Sequence, residues 1–579
     1  MHIRSFLLLL LTGCCFMACK NDFLERYPQS EISPQLFFNT EKDLELYTNS
    51  FYANLPGEGI FTADFSSDNV DVSALDEMVT GRRRVFTDAA SAGWTWTALY
   101  NVNYFLENYD KPAIPAEARN HYAGVARFFR AWFYFDKLKR FGDVPWYSKS
   151  LTAGSPELYK ARDPRSLIVD SIMVDLNFAA TNLRTTKAPA RISKWTALSF
   201  KSTVALFEGT FRKYHPEFGL QASADALLQE AANAADEVIK SNQYKLATGD
   251  AATVYLNLFS AQTPNANEFI LSRLYGLAVN KSHPLNQIFT SPTRGNPGIT
   301  KSLIESYLMR DGSRFSAVPG AATMPFWTEV ANRDPRLAQT IRTPGYRRIG
   351  ATVNLVPDYA NAFTGYQNIK FVSTPDQDAA AYTPLPIIRY AEVLLNYAEA
   401  MAELKKLTQA EADRSINLLR DRVSMPRLTI SGLMADPFLL AQYQHTTDPV
   451  VLEVRRERRV ELAMEGFRLN DLMRWKEGRL LKEVFYGAYF PAKGTYDLDS
   501  DGKNDVAVVD VKPNPAVPGL QYFVLQPDKA LSEGDKGKII IHSKVVKTFD
   551  EDKDYLYPLP LSELLLNPQL EQNNKWPEQ

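Results

Sequence analysis

Between Pro115 and Arg140 the apolar residues fall on two adjacent stripes, Tyr122, Ala126, Phe129 and Phe133 beside Val125, Phe128, Trp132 and Phe135. Two neighbouring stripes at helical period predict a helix packed on more than one side. Phe141-Gly142-Asp143-Val144-Pro145 then puts glycine at the C-terminal cap and proline just beyond it, which marks the stop. Further helices are expected over 165–184, 193–212 and 222–241, the last with Leu228, Ala231, Ala235 and Val238 on one face and many small residues beside them. Small faces let helices approach closely. The same period returns over 387–404 and 411–423, and predicts one long helix over 449–476.

The stretches 55–95, 245–385 and 485–555 hold most of the Gly, Pro, Asn and Asp, with only short strand-like runs such as Val506–Val511 and Lys538–Ile541. They predict loops and small sheets. The expected class is therefore mainly α: tetratricopeptide-like helix pairs, without a clean repeat of roughly 34 residues, joined by long loops and small β elements. Irregular segments this long in a compact protein are more often binding surface than filler.

The N-terminus changes the picture of where the chain works. Met1 to Arg4 give a short positive start and Ser5 to Leu11 a Leu-rich run, the pattern of an export signal. The apolar stretch ends near Ala18 and is shorter than the roughly 20 residues of a membrane-spanning helix. All three cysteines, Cys14, Cys15 and Cys19, lie in or at the end of this segment, so disulfides cannot hold the mature fold. Ala18 before Cys19, with Phe16 and Met17 upstream, has the form of a bacterial lipobox, which makes Cys19 the expected acylated first residue after removal of residues 1–18. Cleavage deletes one charge, Arg4, and leaves 64 basic against 67 acidic side chains. That balance gives no reason to expect nucleic acid as a partner.

Several segments together resemble the SusD/RagB family of outer-membrane nutrient-binding lipoproteins. They include Asp22-Phe23-Leu24-Glu25 to Pro28, Ala126 to Trp146 (ARFFRAWFYFDKLKRFGDVPW), Arg310 to Gly312 and Asn332 to Leu337. Ile387 to Ala400, Ile416 to Pro426, Arg455 to Trp475 and the YLYPLPLSELLLNPQLEQN segment follow in order. Met464 stands where the family usually has an aromatic residue. The resemblance implies a SusD-like N-terminal helical region over 19–240, and a C-terminal region over 241–579 packed with it as one globular unit. It also implies a surface role: a lipid-anchored, non-catalytic protein of the outer membrane that binds an oligosaccharide or peptide and delivers it to a TonB-dependent, SusC-like transporter. The alternatives are a surface glycoside hydrolase or peptidase, and a structural envelope protein.

Chemistry read from the residues favours binding. Arg458, Glu461, Glu465, Arg468 and Leu472 share one helical face, and carboxylates flanked by guanidinium groups stay ionised, unlike a general acid. No HExxH, GxSxG or phosphate-loop motif occurs. Asp497, Asp499, Asp501, Lys503 and Asp505 occupy positions 1, 3, 5, 7 and 9 of an EF-hand-like loop with Gly502 at 6, so a structural calcium site competes with a plain polar hairpin turn. Position 12 is Val508 in place of the usual glutamate. Aromatics make up 12% of the chain, enough for a large core or for a stacking surface, so position has to decide. Sugar binding asks for exposed rings beside amides and guanidinium groups. The candidates in loop regions are Phe65, Arg83 and Trp94, then Tyr275, Asn280, Phe326 and Trp327, whereas Trp96, at the start of an apparent helix, reads as core.

Overall fold

The structure is a computed structural model, and it describes residues 37–110 and 114–577. The expected signal peptide, Cys19 and the Asp22–Pro28 motif lie outside the described residues. Helix accounts for 44% of the described residues and strand for 10%, which makes the class mainly α as expected.

The principal helices are α1 (Glu41–Phe51), α2 (Thr97–Asn108), α3 (Ala116–Phe141), α4 (Arg165–Asn182), α5 (Lys194–Tyr214) and α6 (Ala224–Lys240). They continue with α7 (Tyr390–Glu403), α8 (Ile416–Arg422), α9 (Pro449–Glu461), α10 (Arg468–Arg474) and α11 (Leu561–Leu566). Caps fix several starts: Thr40 with Asp43 at α1, and Ser193 with Thr196 at α5, satisfy backbone donors reciprocally. Consecutive helices pair, α3 with α4 and α5 with α6, and α7 packs on α6 and α9. The small face of α6 is buried through Ala231, Ala232, Ala234 and Ala235, and α5 approaches it closely at Gly209, where an added Cβ would meet Leu228 Cγ at 2.9 Å. Trp132 of α3, at the edge of one large apolar core, stacks on buried Phe200 of α5 with centroids 4.6 Å apart.

Among the described residues ten short strands, β1 (Val70–Asp71), β2 (Phe269–Arg273), β3 (Gly298–Ile299), β4 (Leu385–Arg389), β5 (Tyr486–Phe490), β6 (Gly494–Tyr496), β7 (Val506–Val509), β8 (Gln521–Val524), β9 (Ala530–Leu531) and β10 (Gly537–Ile540), form four small sheets. β1 pairs with β3 and β2 with β4, while the others form the three-stranded sheets β5-β10-β9 and β6-β7-β8. A second apolar core, with Phe61, Tyr255, Phe259 and Phe371 in it, lies under these loops and sheets.

Three helix expectations need correction. The 387–404 pattern opens as β4, since Pro386, Ile388 and Arg389 pair antiparallel with β2, and helix begins only at Tyr390. The 411–423 pattern divides into Gln409–Asp413 and α8. The long helix over 449–476 is broken between α9 and α10: Met464 and Gly466 take positive φ of 63° and 79°. Gly466 is required there, because a Cβ would lie 2.0 Å from the Ile60 carbonyl oxygen.

That break organises the buried charge. Glu461 accepts from Arg389 at 2.8 Å, Arg422 at 2.6 Å and Arg336 at 3.0 Å, and Glu465 accepts from Arg389 at 2.6 Å and Lys370 at 2.7 Å. Burial opposes ionisation of Glu461, yet its three arginines hold it well below the usual carboxylate range. The structural ion network is present, but its partners come from other segments. Arg458 turns to Asp471 and Arg468 to Asp68.

Candidate functional site

A surface groove of about 260 Å³ runs between the start of α2, the 145–160 loop and α11. The loop is held from below by polar braces. Tyr147 N donates to Tyr134 Oη at 2.5 Å, Trp146 stacks on Tyr134 with centroids 4.1 Å apart, and Trp146 N donates to Asp163 at 2.6 Å. Asn103 of α2 donates to the Tyr147 and Lys149 carbonyls at 2.9 and 3.0 Å, and its own oxygen accepts from Arg130 at 3.2 Å. Asn567, just past α11, donates to the Lys160 carbonyl at 2.9 Å and ties the opposite wall to the same loop.

The braces present Trp96, Tyr100, Tyr147, Lys149, Tyr159 and Glu563 to the groove. Trp96 meets Tyr147 edge to face at 5.3 Å. Tyr100 and Tyr159 are 41% and 49% exposed, so rings with free surface stand at both sides. Burial raises the Glu563 carboxyl above its ordinary value, and burial followed by the charges of Asp163 and Glu563 pushes the Tyr147 hydroxyl up to about 12. No cation within the described residues pairs with Glu563, which stands beside the neutral Tyr147 phenol. Rings flanked by such groups can pack the C–H face of a pyranose while bonding its hydroxyls.

The aromatic residues expected from the sequence do not converge on one site. Trp94 is 3% exposed, wedged edge to face against Phe141 at 4.9 Å and Trp96 at 5.3 Å, and is a core residue that touches the groove from behind. Trp94→Ala is expected to cost about 3–5 kcal/mol, read as a lowered denaturation midpoint. Arg83 is also spoken for: it donates to Asp554 at 2.9 Å and lies over Tyr557 at 4.5 Å. Phe326 is buried in the second core. Phe65 packs against that core from its edge, 6.4 Å from Phe289, and Tyr275 sits edge to face on His283 at 4.7 Å. Asn280 is exposed in a left-handed turn conformation, and half-buried Trp327 lies 6.0 Å from Tyr496. Trp96, expected in the core, does pack on the core but also lines the groove. Tyr100, Tyr147, Tyr159 and Glu563 were missed. Tyr100 sits on the polar side of the α2 period, and that exposed ring was the available signal.

The acidic loop joins β6 to β7 as an antiparallel hairpin with no flanking helix. Carboxylate oxygens of Asp497, Asp499 and Asp501 come within 4.8 Å of one another. Asp497 already accepts from the Ser500 and Gly502 amides at 2.6 and 2.8 Å, Asp505 accepts from Leu498 at 2.7 Å, and Lys503 pairs with Asp501 at 3.0 Å. Val508 is buried in β7, away from any ligand role. Three carboxylates fall short of the roughly six to eight oxygens that calcium takes, so an ion there would draw the rest from carbonyls and water.

A family model described as the SusD family matches residues 272–576. Among characterised relatives, SusD-like protein P38 of Formosa agariphila is 25% identical over 503 residues, spanning 81% of this chain and 90% of that protein. SusD-like protein P2 of the same organism is 25% identical over 527 residues, spanning 86% and 94%. Two solved structures from Bacteroides fragilis share the fold. A SusD-like carbohydrate-binding protein has a TM-score of 0.70 at 24% identity, covering 92% of this chain and all of that one. A SusD-like protein has a TM-score of 0.69 at 22% identity, covering 95% and 100%.

Proposed function

The chain belongs to the SusD family, and from that membership we propose that it is a cell-surface glycan-binding lipoprotein that delivers its ligand to a TonB-dependent transporter. The observation that carries the reading is the braced groove, in which exposed rings stand beside the Glu563 carboxyl and the tyrosine hydroxyls. The carbohydrate binding named for the Bacteroides fragilis relative supports glycan as the ligand class. No described helix is long and apolar enough to cross a membrane, so attachment would rest on the acylated Cys19.

A surface glycoside hydrolase is the second reading. The usual route needs a pair of carboxyl groups flanking the bond, and Glu563 is the one carboxyl lining this groove. Calorimetry of the purified mature chain against a panel of oligosaccharides, with product analysis of each bound sugar, tests both readings. Saturable binding with sugars returned intact supports the proposal. Release of shorter products transfers it to the hydrolase, and no binding across the panel removes glycan as the ligand.

Anchoring gives a separate prediction. Cys19→Ala should move the protein from the membrane fraction to the soluble one and abolish lipid mass on the mature N-terminus, since stable attachment of such a chain needs its acyl groups. Equal membrane retention of wild type and variant would remove the lipoprotein assignment. The transporter partnership predicts co-purification of a β-barrel after mild detergent extraction. Repeated recovery of the chain alone after crosslinking would count against it.

A further inference from the structure

A cavity of about 350 Å³ lies on the helical side of the molecule, between α3, α5, α7 and the 465–474 segment, and is separate from the groove. Its walls are mostly apolar, with Trp132, Phe200, Phe207, Ile388 and Phe467 among them. At its floor Glu392 of α7 is 2% exposed, and only half of its carboxyl is used. Oε1 accepts from Thr203 Oγ1 at 2.7 Å, while Oε2 is buried with no hydrogen-bond partner. A buried polar atom without a partner costs free energy, so its persistence in a space of this size points to a missing donor.

The surrounding charges are already committed. Arg458 of α9 donates to Asp471 at 2.9 Å and to Asn396 at 2.9 Å, and Arg474 of α10 holds Glu399 at 2.7 Å. Arg389 of β4 and Glu465 are paired with each other at 2.6 Å, and at the mouth Lys139 of α3 lies 4.0 Å from Asp136. None of these supplies the donor that Glu392 Oε2 lacks.

We propose that this cavity is a second ligand site, taking a compact molecule with an apolar ring body and one hydrogen-bond-donating head, hydroxyl or ammonium, seated on Glu392 Oε2. Apolar walls with one placed polar group are the usual makeup of a small-molecule pocket. The site does not depend on glycan binding in the groove. Burial, opposed by Thr203, Arg458 and Arg389 and reinforced by Glu465, raises the Glu392 carboxyl to about 7. An ammonium head should thus bind more tightly at pH 8, where the carboxyl is charged, than at pH 6, where it is mostly neutral. A hydroxyl head should change much less.

Three molecules with one body test this: phenethylamine, 2-phenylethanol and phenylacetate, titrated by ligand-observed NMR into the full mature chain at pH 6 and pH 8. Saturable binding is expected for the amine, the alcohol or both, and at pH 8 it should be at least tenfold stronger than for phenylacetate, whose carboxylate the charged Glu392 then repels. Binding by only one of the two identifies the head. Glu392→Leu should remove the preference over phenylacetate. Asn470→Trp, at the half-exposed mouth, should block all three without lowering the melting temperature, and covers the case in which the Glu392 variant fails to fold. Absence of saturable binding by both amine and alcohol, equal binding of phenylacetate at pH 8, or binding unchanged by Asn470→Trp would overturn the site and leave Oε2 bonded to water alone.

Discussion

Arg389→Ala is expected to destabilise the protein by about 3–5 kcal/mol, the range for breaking a buried ion pair by removing one partner, and to lower its unfolding midpoint in denaturant. The guanidinium donates to Glu465 Oε2 at 2.6 Å and Oε1 at 2.7 Å, to Glu461 Oε1 at 2.8 Å and to Glu268 Oε1 at 3.1 Å. Its loss would leave three buried carboxylates to Arg336, Arg422 and Lys370. Arg389→Lys should recover only part of the stability, because a point charge cannot reproduce the fork that spans Glu461 and Glu465. The sign with pH follows from Glu461, whose folded pKa is depressed below 4.5. A depressed carboxylate contributes stability that is full above its unfolded value and is lost as pH falls through the folded one. The gap between wild type and Arg389→Ala should therefore be widest near neutral pH and narrow in acid. A variant as stable as wild type at pH 7 would show that the network is dispensable to the fold.

Helix pairing could be read from the chain because it depends on local period: the stripes of α3 and the small face of α6 appear in the structure as packed surfaces. Where the period failed, a partner distant in sequence decided the conformation. Ile387 and Ile388 suit a helix or a strand, and only β2, more than a hundred residues upstream, selects the strand. The α9–α10 break is set by the Ile60 carbonyl pressing on Gly466, a contact no window around 466 contains. The network at Glu461 was visible as charge on a face, but its true partners Arg336, Arg389 and Arg422 come from three other segments. The groove was half legible for the same reason. Loop position brought attention to Trp94 and Trp96, but which ring is wedged and which is open depends on Phe141, Tyr147 and the 145–160 loop folding over α2. Tyr159 and Glu563 stand about four hundred residues apart and meet only in the fold.

Tyr159→Ala should weaken binding of whichever glycan the wild type takes by roughly tenfold to thirtyfold, about 1.4–2 kcal/mol, as expected for loss of a central ring from a binding surface. Its ring is 49% exposed and has no aromatic partner among the described residues, so the melting temperature should stay where it is. Trp96→Ala should differ in kind: that ring packs on Trp94, Phe133, Tyr134 and Tyr147, and its removal should lower affinity and stability together. Glu563→Gln separates stacking from hydrogen bonding. It keeps the shape and an acceptor oxygen but loses charge, and charge-assisted bonds are about twice as strong as neutral ones, so a loss severalfold smaller than that of Tyr159→Ala places the rings first. Calorimetry beside thermal unfolding on the same preparations reads both quantities. If wild type binds a glycan and all three variants bind it equally well, the ligand sits elsewhere on the molecule and the groove assignment fails, while the SusD fold that carries it stands unaffected.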